Sequence, residues 1–195
     1  MPSKQTSTTQ PPPTKPSNLL PDIALYQPGD RGDVPLLHWY AQLVVAGDLE
    51  KMVGPSSRSL SGFMRHFTDP SSLLFVGTDD KGWWIVSWLT PLMSGGSWGL
   101  WLRPDTRGVG RRQALAVIME SINLGLTLWP VLVNTTTQPT VVAKTQRLGY
   151  AYLGCVPYLF GGEDCYVLYI TRPMFAPLYE RWSQYYGRRK NRRSA

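Results

Sequence analysis

The chain is poor in the residues that would commit it early to particular chemistries. It has two cysteines, Cys155 and Cys165, in 195 residues. That excludes a disulfide-stapled scaffold and predicts reduced thiols in an intracellular, cytoplasmic protein. It has two histidines, His38 and His66, and no Cys/His cluster, so a structural zinc site is not expected. No apolar run reaches the roughly 18 residues that a membrane span needs. The first residues carry no apolar segment of the secretory kind. Acidic residues are fewer than basic ones, 13 against 20, and residues 83–103 hold no Asp or Glu at all.

What is present is uneven. The net charge of +7 is concentrated at one end: Arg181, Arg188, Arg189, Lys190, Arg192 and Arg193 leave the rest of the chain at +1. The body of the protein is therefore not a basic nucleic-acid binder, whereas the Arg188 to Arg193 run is suited to nucleic acid or an acidic surface. A charge run of this kind is more commonly a solvated tail. Residues 1–21 are Ser, Thr, Gln, Lys and six prolines. They have too little apolar surface to offset the entropy of ordering, and they read as an extended arm able to meet a protein partner. Residues 22–172 make one domain with a core of ordinary size, and residues 173–195 a C-terminal aromatic helix and basic tail.

The periodicities give an element order. A short strand is expected over 22–27 and a helix over 34–46, capped by Asp33, with Leu36, Leu37, Tyr40, Leu43 and Val44 inward. A second helix is expected over 59–67, with Leu60, Phe63, Met64 and Phe67 inward. His38 and His66 sit on or beside these apolar faces, where a lone histidine reads first as a packed residue. Strands follow over 73–77, 83–89 and 98–102, with turns at 79–82 and 94–97. Residues 126–133 read as a further strand, bent at Pro130. A helix is expected over 139–148, then strands over 150–156 and 166–171, and an amphipathic helix over 175–186.

The organising stretch lies between the third and fourth of these strands. Pro104 and Asp105 break the strand, and Arg107, Gly108, Val109 and Gly110 form a small-residue loop. Leu115, Ile118, Met119 and Ile122 then fall at helical spacing, with Gly125 at the expected C-cap. A strand, a glycine loop and a helix aim backbone N–H groups and the helix dipole at one point, which suits a phosphate. Arg107, Arg111 and Arg112 add mobile positive charge. Two glycines before a helix are also ordinary turn chemistry.

The run Pro-Asp-x-Arg-Gly-x-Gly resembles the acetyl-CoA-binding loop of the GNAT acyltransferase superfamily. Arg107 and Gly110 match its first two fixed positions, while Arg112 stands where the family has a small residue. Arg147-Leu148-Gly149-Tyr150 is similar to the close of the family's last core helix. The resemblance implies an α/β (α+β) fold: a mixed central sheet with helices on both faces, a strand meander, then loop, helix, strand, helix and hairpin. It also implies an acyl-CoA N-acyltransferase with acetyl-CoA as cosubstrate and an amine acceptor. Cofactor contacts would fall on Leu100 and Leu102 of the meander and on residues 107–112.

The family's catalytic positions are not matched. Its meander Glu is missing, its helix Tyr is Thr145 here, and Gln138 is the amide nearest its usual Asn. Thr145, Tyr150 and Asp105 remain as weak catalytic candidates, with Tyr152 and Cys155 behind them. Each has a structural reading: Asp105 as a turn residue, the tyrosines as core or rim, Cys155 as a small buried hydrophobe. These departures support an alternative, a catalytically inactive GNAT-fold assembly protein of a large complex, such as a phage virion, using its arms to bind partners.

Overall fold

A computed structural model describes residues 23–26, 33–106, 111–160 and 162–191. Among them are seven strands: β1 (Ile23–Tyr26), β2 (Leu73–Asp79), β3 (Gly82–Leu92), β4 (Gly95–Leu102), β5 (Val131–Thr136), β6 (Ala151–Phe160) and β7 (Glu163–Thr171). They form one sheet in the order β1, β2, β3, β4, β5, β7, β6. Every neighbouring pair is antiparallel except β4 with β5. The helices among these residues are α1 (Asp33–Ala46), α2 (Leu49–Met52), α3 (Leu60–Phe67), α4 (Arg111–Leu128), α5 (Pro139–Gln146) and α6 (Arg172–Asn191). This is the expected mixed sheet with helices on both faces.

Two apolar clusters show why. On one face, Val117, Met119, Ile122 and Leu126 of α4 and Phe175 of α6 pack on Phe75, Ile85, Leu89 and Leu132 of the sheet. On the other, Leu36, Trp39 and Leu43 of α1 and Phe63 and Phe67 of α3 pack on Leu74, Val86, Trp88 and Trp101. β2 and β3 are thus covered twice, and their sequences are apolar runs rather than alternating ones. Trp39 anchors the second cluster. Its ring centroid lies 5.0 to 6.2 Å from those of Phe63, Phe67, Trp83, Trp88 and Trp101, distances at which aromatic pairs attract beyond their burial.

Several expectations need correction. In α1 the buried face is Leu36, Trp39 and Leu43, while Leu37 and Val44 are exposed, at 39% and 51%. The helix has apolar residues on two faces, so periodicity alone does not select the inner one. Leu60 is likewise exposed on α3, and Leu115 on α4. Residues 95–97 belong to β4 rather than to a turn. Residues 126–128 continue α4, and the strand starts only at Val131. Gly125 is consequently no cap: it lies inside α4, where a Cβ would meet Leu89 Cδ2 at 2.7 Å and Leu132 Cδ1 at 2.8 Å. The small residue lets the helix approach the sheet.

Other readings coincide with the structure. The helix expected over 59–67 is α3, with Ser59 just before it as its cap, Ser59 Oγ accepting a hydrogen bond from Gly62 N at 3.2 Å. Gly149, with φ of 92°, turns the chain after α5 in a backbone region that side chains resist.

Candidate functional site

The sheet parts between β4 and β5. The two strands pair only at Gly96 with Leu132 and Ser97 with Val133. Beyond those pairs, residues 98–102 of β4 and 134–136 of β5 diverge. Asn134 Nδ2 donates across the opening to Trp98 O at 2.9 Å. That bond places the Trp98 carbonyl on the open edge of β4. Alternation along a strand then puts the main-chain groups of Leu100 and Leu102 on the same edge, and those of Gly99 and Trp101 toward β3. The bond from Arg103 N to Trp84 O, 2.9 Å, fits this phase. β4 therefore presents a short row of peptide groups to the opening, with no strand opposite them among the described residues.

Trp98 fixes the point of divergence. Its indole Nε1 donates to Ser121 Oγ of α4 at 3.0 Å, and Ser87 Oγ lies 2.8 Å from the same oxygen. On the opposite face, Trp88 lies over Gly99, where a Cβ would sit 2.0 Å from the Trp88 ring. Only glycine fits under that ring.

A cavity of about 420 Å³ occupies the opening. Leu100 and Leu102 line it from β4; Asn134 and Thr136 line it from β5, Lys144 and Thr145 from α5, and Gln138 from the link between them. Across the sheet edge it reaches Asp48, Lys51 and Val53 around α2, and His66 at the end of α3. Asn134 lines the cavity, and its Oδ1 is buried with no hydrogen-bond partner.

The expected site residues separate into three groups. Leu100, Leu102 and Thr145 line the cavity together. Tyr150 and Asp105 do not line it. Tyr150 is buried behind it, its ring 5.6 Å from that of Trp98, and burial raises its phenol well above the ordinary range. Asp105 is exposed and tied to Arg103, whose Nε lies 2.6 Å away, and to Lys81 at 3.4 Å. The Arg103 guanidinium holds the Asp105 carboxyl below its usual value, so the group serves as a fixed anion in an ion-pair cluster with Asp79. Arg107, Gly108, Val109 and Gly110 lie outside the described residues, as do the side chains of Arg111 and Arg112. The backbone of Arg111 opens α4. Cys155, expected as a buried hydrophobe, is exposed on β6; Cys165 is the buried thiol, and both are free.

Three cavity residues carry chemistry that the sequence reading passed over or discounted. Asp48 accepts from Lys51 Nζ at 3.2 Å and from Trp101 Nε1 at 3.2 Å. Asn134 is the bridge just described. His66 is partly buried, and burial lowers its pKa against the opposing charge of Asp69. Only tertiary proximity reveals these three, since they lie on three different elements. The described residues hold no group of three or more metal-ligating side chains, and no described helix is long and apolar enough to cross a membrane.

No family model matches the chain, and no curated protein sequence matches it. Solved structures do. A Vibrio cholerae spermidine N-acetyltransferase in complex with CoA and spermine superposes with a TM-score of 0.56 at 15% identity, covering 80% of this chain and 98% of that one. A chimera of the same enzyme gives 0.56 at 17% identity, with 80% and 99% covered. A single-residue mutant of it gives 0.57 at 16% identity, with 80% and 96% covered. At such identities the likeness is one of fold, and the fold is GNAT-like.

Proposed function

We propose that this chain is a GNAT-type acyl-CoA N-acyltransferase that moves an acetyl or other acyl group from CoA to an amine. The observation that supports it most is the parted sheet. An extended arm bearing amides finds at β4 an open strand edge, with the peptide groups of Leu100 and Leu102 facing it and Asn134 Oδ1 unpartnered beside it. On this reading the diphosphate sits at the start of α4, held by residues 107–110, Arg111 and Arg112. The acyl group points toward Ser97 and Gly99. The similar solved enzymes include one bound to CoA and spermine. Here the described cavity lining holds Lys51 and Lys144 against one acid, Asp48, which favours an amine with little additional positive charge over a polyamine.

A second reading is a GNAT-fold assembly protein without turnover. It is favoured by the cavity's carboxylate, Asp48, being already engaged by Lys51 and Trp101, and by Thr145 at the family's tyrosine position. Both readings are tested together. Ligand at 100 times its Kd stabilises by about 2.7 kcal/mol, which for a domain of this size is a Tm rise of about 5–10 °C. Acetyl-CoA should produce such a rise and protect the amides of Leu100, Leu102 and residues 107–112 from exchange. Release of CoA thiol in the presence of a primary amine selects the enzyme. Binding without release selects the assembly protein, and no binding rejects the acyl-CoA reading.

A further inference from the structure

An acyl-CoA reaction at this cleft needs a group to take a proton from the acceptor ammonium, and the usual carboxylates are missing. β3 and β4 carry no acid between Trp83 and Leu102. Asp48 is held by Lys51 and by the Trp101 indole, so its charge is spent on fixing α2 against β4. Thr145 is a hydroxyl of high intrinsic pKa, and Tyr150 lies outside the cavity with its phenol strongly disfavoured as an anion.

One further titratable side chain lines the cavity on the α1 and α3 face. His66 closes α3, where its carbonyl accepts from Ser72 Oγ at 3.1 Å and its ring lies edge-on to Phe67 with centroids 4.6 Å apart. Phe67 in turn packs on Trp88 of β3, with ring centroids 5.8 Å apart, which sets the end of the helix against that strand. Thr90 pairs with Ser97, and Trp88 with Gly99, the positions at which β4 leaves β5. His66, Thr90, Ser97 and Gly99 line the same cavity. His66 thus shares the cavity with the stretch of β4 along which a thioester would lie.

We propose that His66 is the general base of this site, a role that rests on the acyltransferase reading above. The acceptor arrives as R–NH3+. His66 takes one proton and becomes imidazolium. The freed nitrogen lone pair forms the C–N bond at the thioester carbonyl, whose π electrons move to oxygen. Their return breaks the C–S bond. The departing sulfur takes the second nitrogen proton, giving amide and CoA thiol, and the imidazolium returns its proton to water. Burial lowers the His66 pKa, the charge of Asp69 opposes that, and Asp48, Lys51 and Lys144 are the other charged residues lining the cavity. The net lowering keeps the ring neutral at pH 7, the form that accepts a proton.

The test uses the full chain with acetyl-CoA and a panel of spermidine, phenylethylamine and glycinamide. His66→Gln and His66→Ala should lower kcat by about 100-fold or more, the usual worth of a positioned base. The KM for acetyl-CoA and its thermal shift should not change. The rising limb of kcat/KM with pH, placed below the ordinary histidine value of 6.5, should vanish, and added imidazole should partly restore His66→Ala. With two histidines in the chain, a His38→Gln background leaves His66 alone. Its carbethoxylation should stop turnover and hydroxylamine should restore it, a readout independent of how the His66 variants fold. His66→Gln with kcat within about threefold of wild type and the same pH limb would overturn this role and leave the acyltransferase reading standing. Acetyl-CoA binding with no turnover of any amine would overturn both.

Discussion

Tyr150 Oη is buried beside Trp98 with no hydrogen-bond partner. A buried hydroxyl without a partner loses its water and gains nothing back, at a cost of about 1–3 kcal/mol. Tyr150→Phe should therefore leave Tm unchanged or raise it, by up to about 1–3 kcal/mol of stability in a denaturant titration. It should also retain turnover, because the phenol does not reach the cavity. A large loss of kcat with Tm preserved would instead make Tyr150 the thiolate's acid. Single residues were the hardest scale to read in the sequence. Tyr150 stood out because it follows a helix-closing Gly, a local pattern. Asn134 and His66 gave no such signal. Asn134 matters because β5 leaves β4 at Val133, and His66 because α3 ends against β3; both are long-range facts that no spacing encodes.

The helices on the α4 side were legible in their existence and less so in their ends. Residues 126–133 have the composition of a strand, yet the first three of them stay helical because Gly125 lets α4 settle against Leu89 and Leu132. Contact with the sheet overrides local preference there. The same packing buries Glu120 between α4 and α6, where Tyr179 Oη donates to its carboxylate at 3.1 Å. Burial raises the Glu120 pKa above 4.5, the Tyr179 bond opposing it, and pushes Tyr179 up to about 12, with Arg172 the nearby cation. A raised carboxyl pKa means that the fold favours the protonated form. That contribution is full below about pH 4.5 and fades as pH climbs through the folded-state value, so at neutral pH the buried charge is a cost. Glu120→Gln keeps an oxygen for Tyr179 and removes the charge. Its Tm should match wild type near pH 4 and exceed it increasingly toward pH 7. A variant less stable than wild type at pH 7 would show that the carboxylate is compensated by a cation.

At the scale of the molecule, the element order and the two-sided sheet followed from periodicity, because each amphipathic helix and each apolar strand needs a covering layer. The parting of β4 from β5 did not follow, since it depends on how two strands far apart in sequence meet. The sequence reads as an amphipathic helix over 175–186 followed by a basic tail, and the apolar side of that helix faces the core: Met174, Phe175, Leu178, Tyr179 and Trp182 of α6 pack on the α4 cluster. All five precede the basic run. A chain ending at Tyr186 should therefore keep the Tm and the acetyl-CoA response of the full protein. It should lose any affinity for a single-stranded oligonucleotide, because five of the cations lie beyond that point and the rest of the chain is nearly neutral. In the full chain log K should fall steeply with log salt, by about 0.7 per phosphate contact on a single strand. Equal, salt-insensitive binding by both chains would assign the basic run to solubility alone, and a truncated chain that melts early would show that the last turns of α6 support the core.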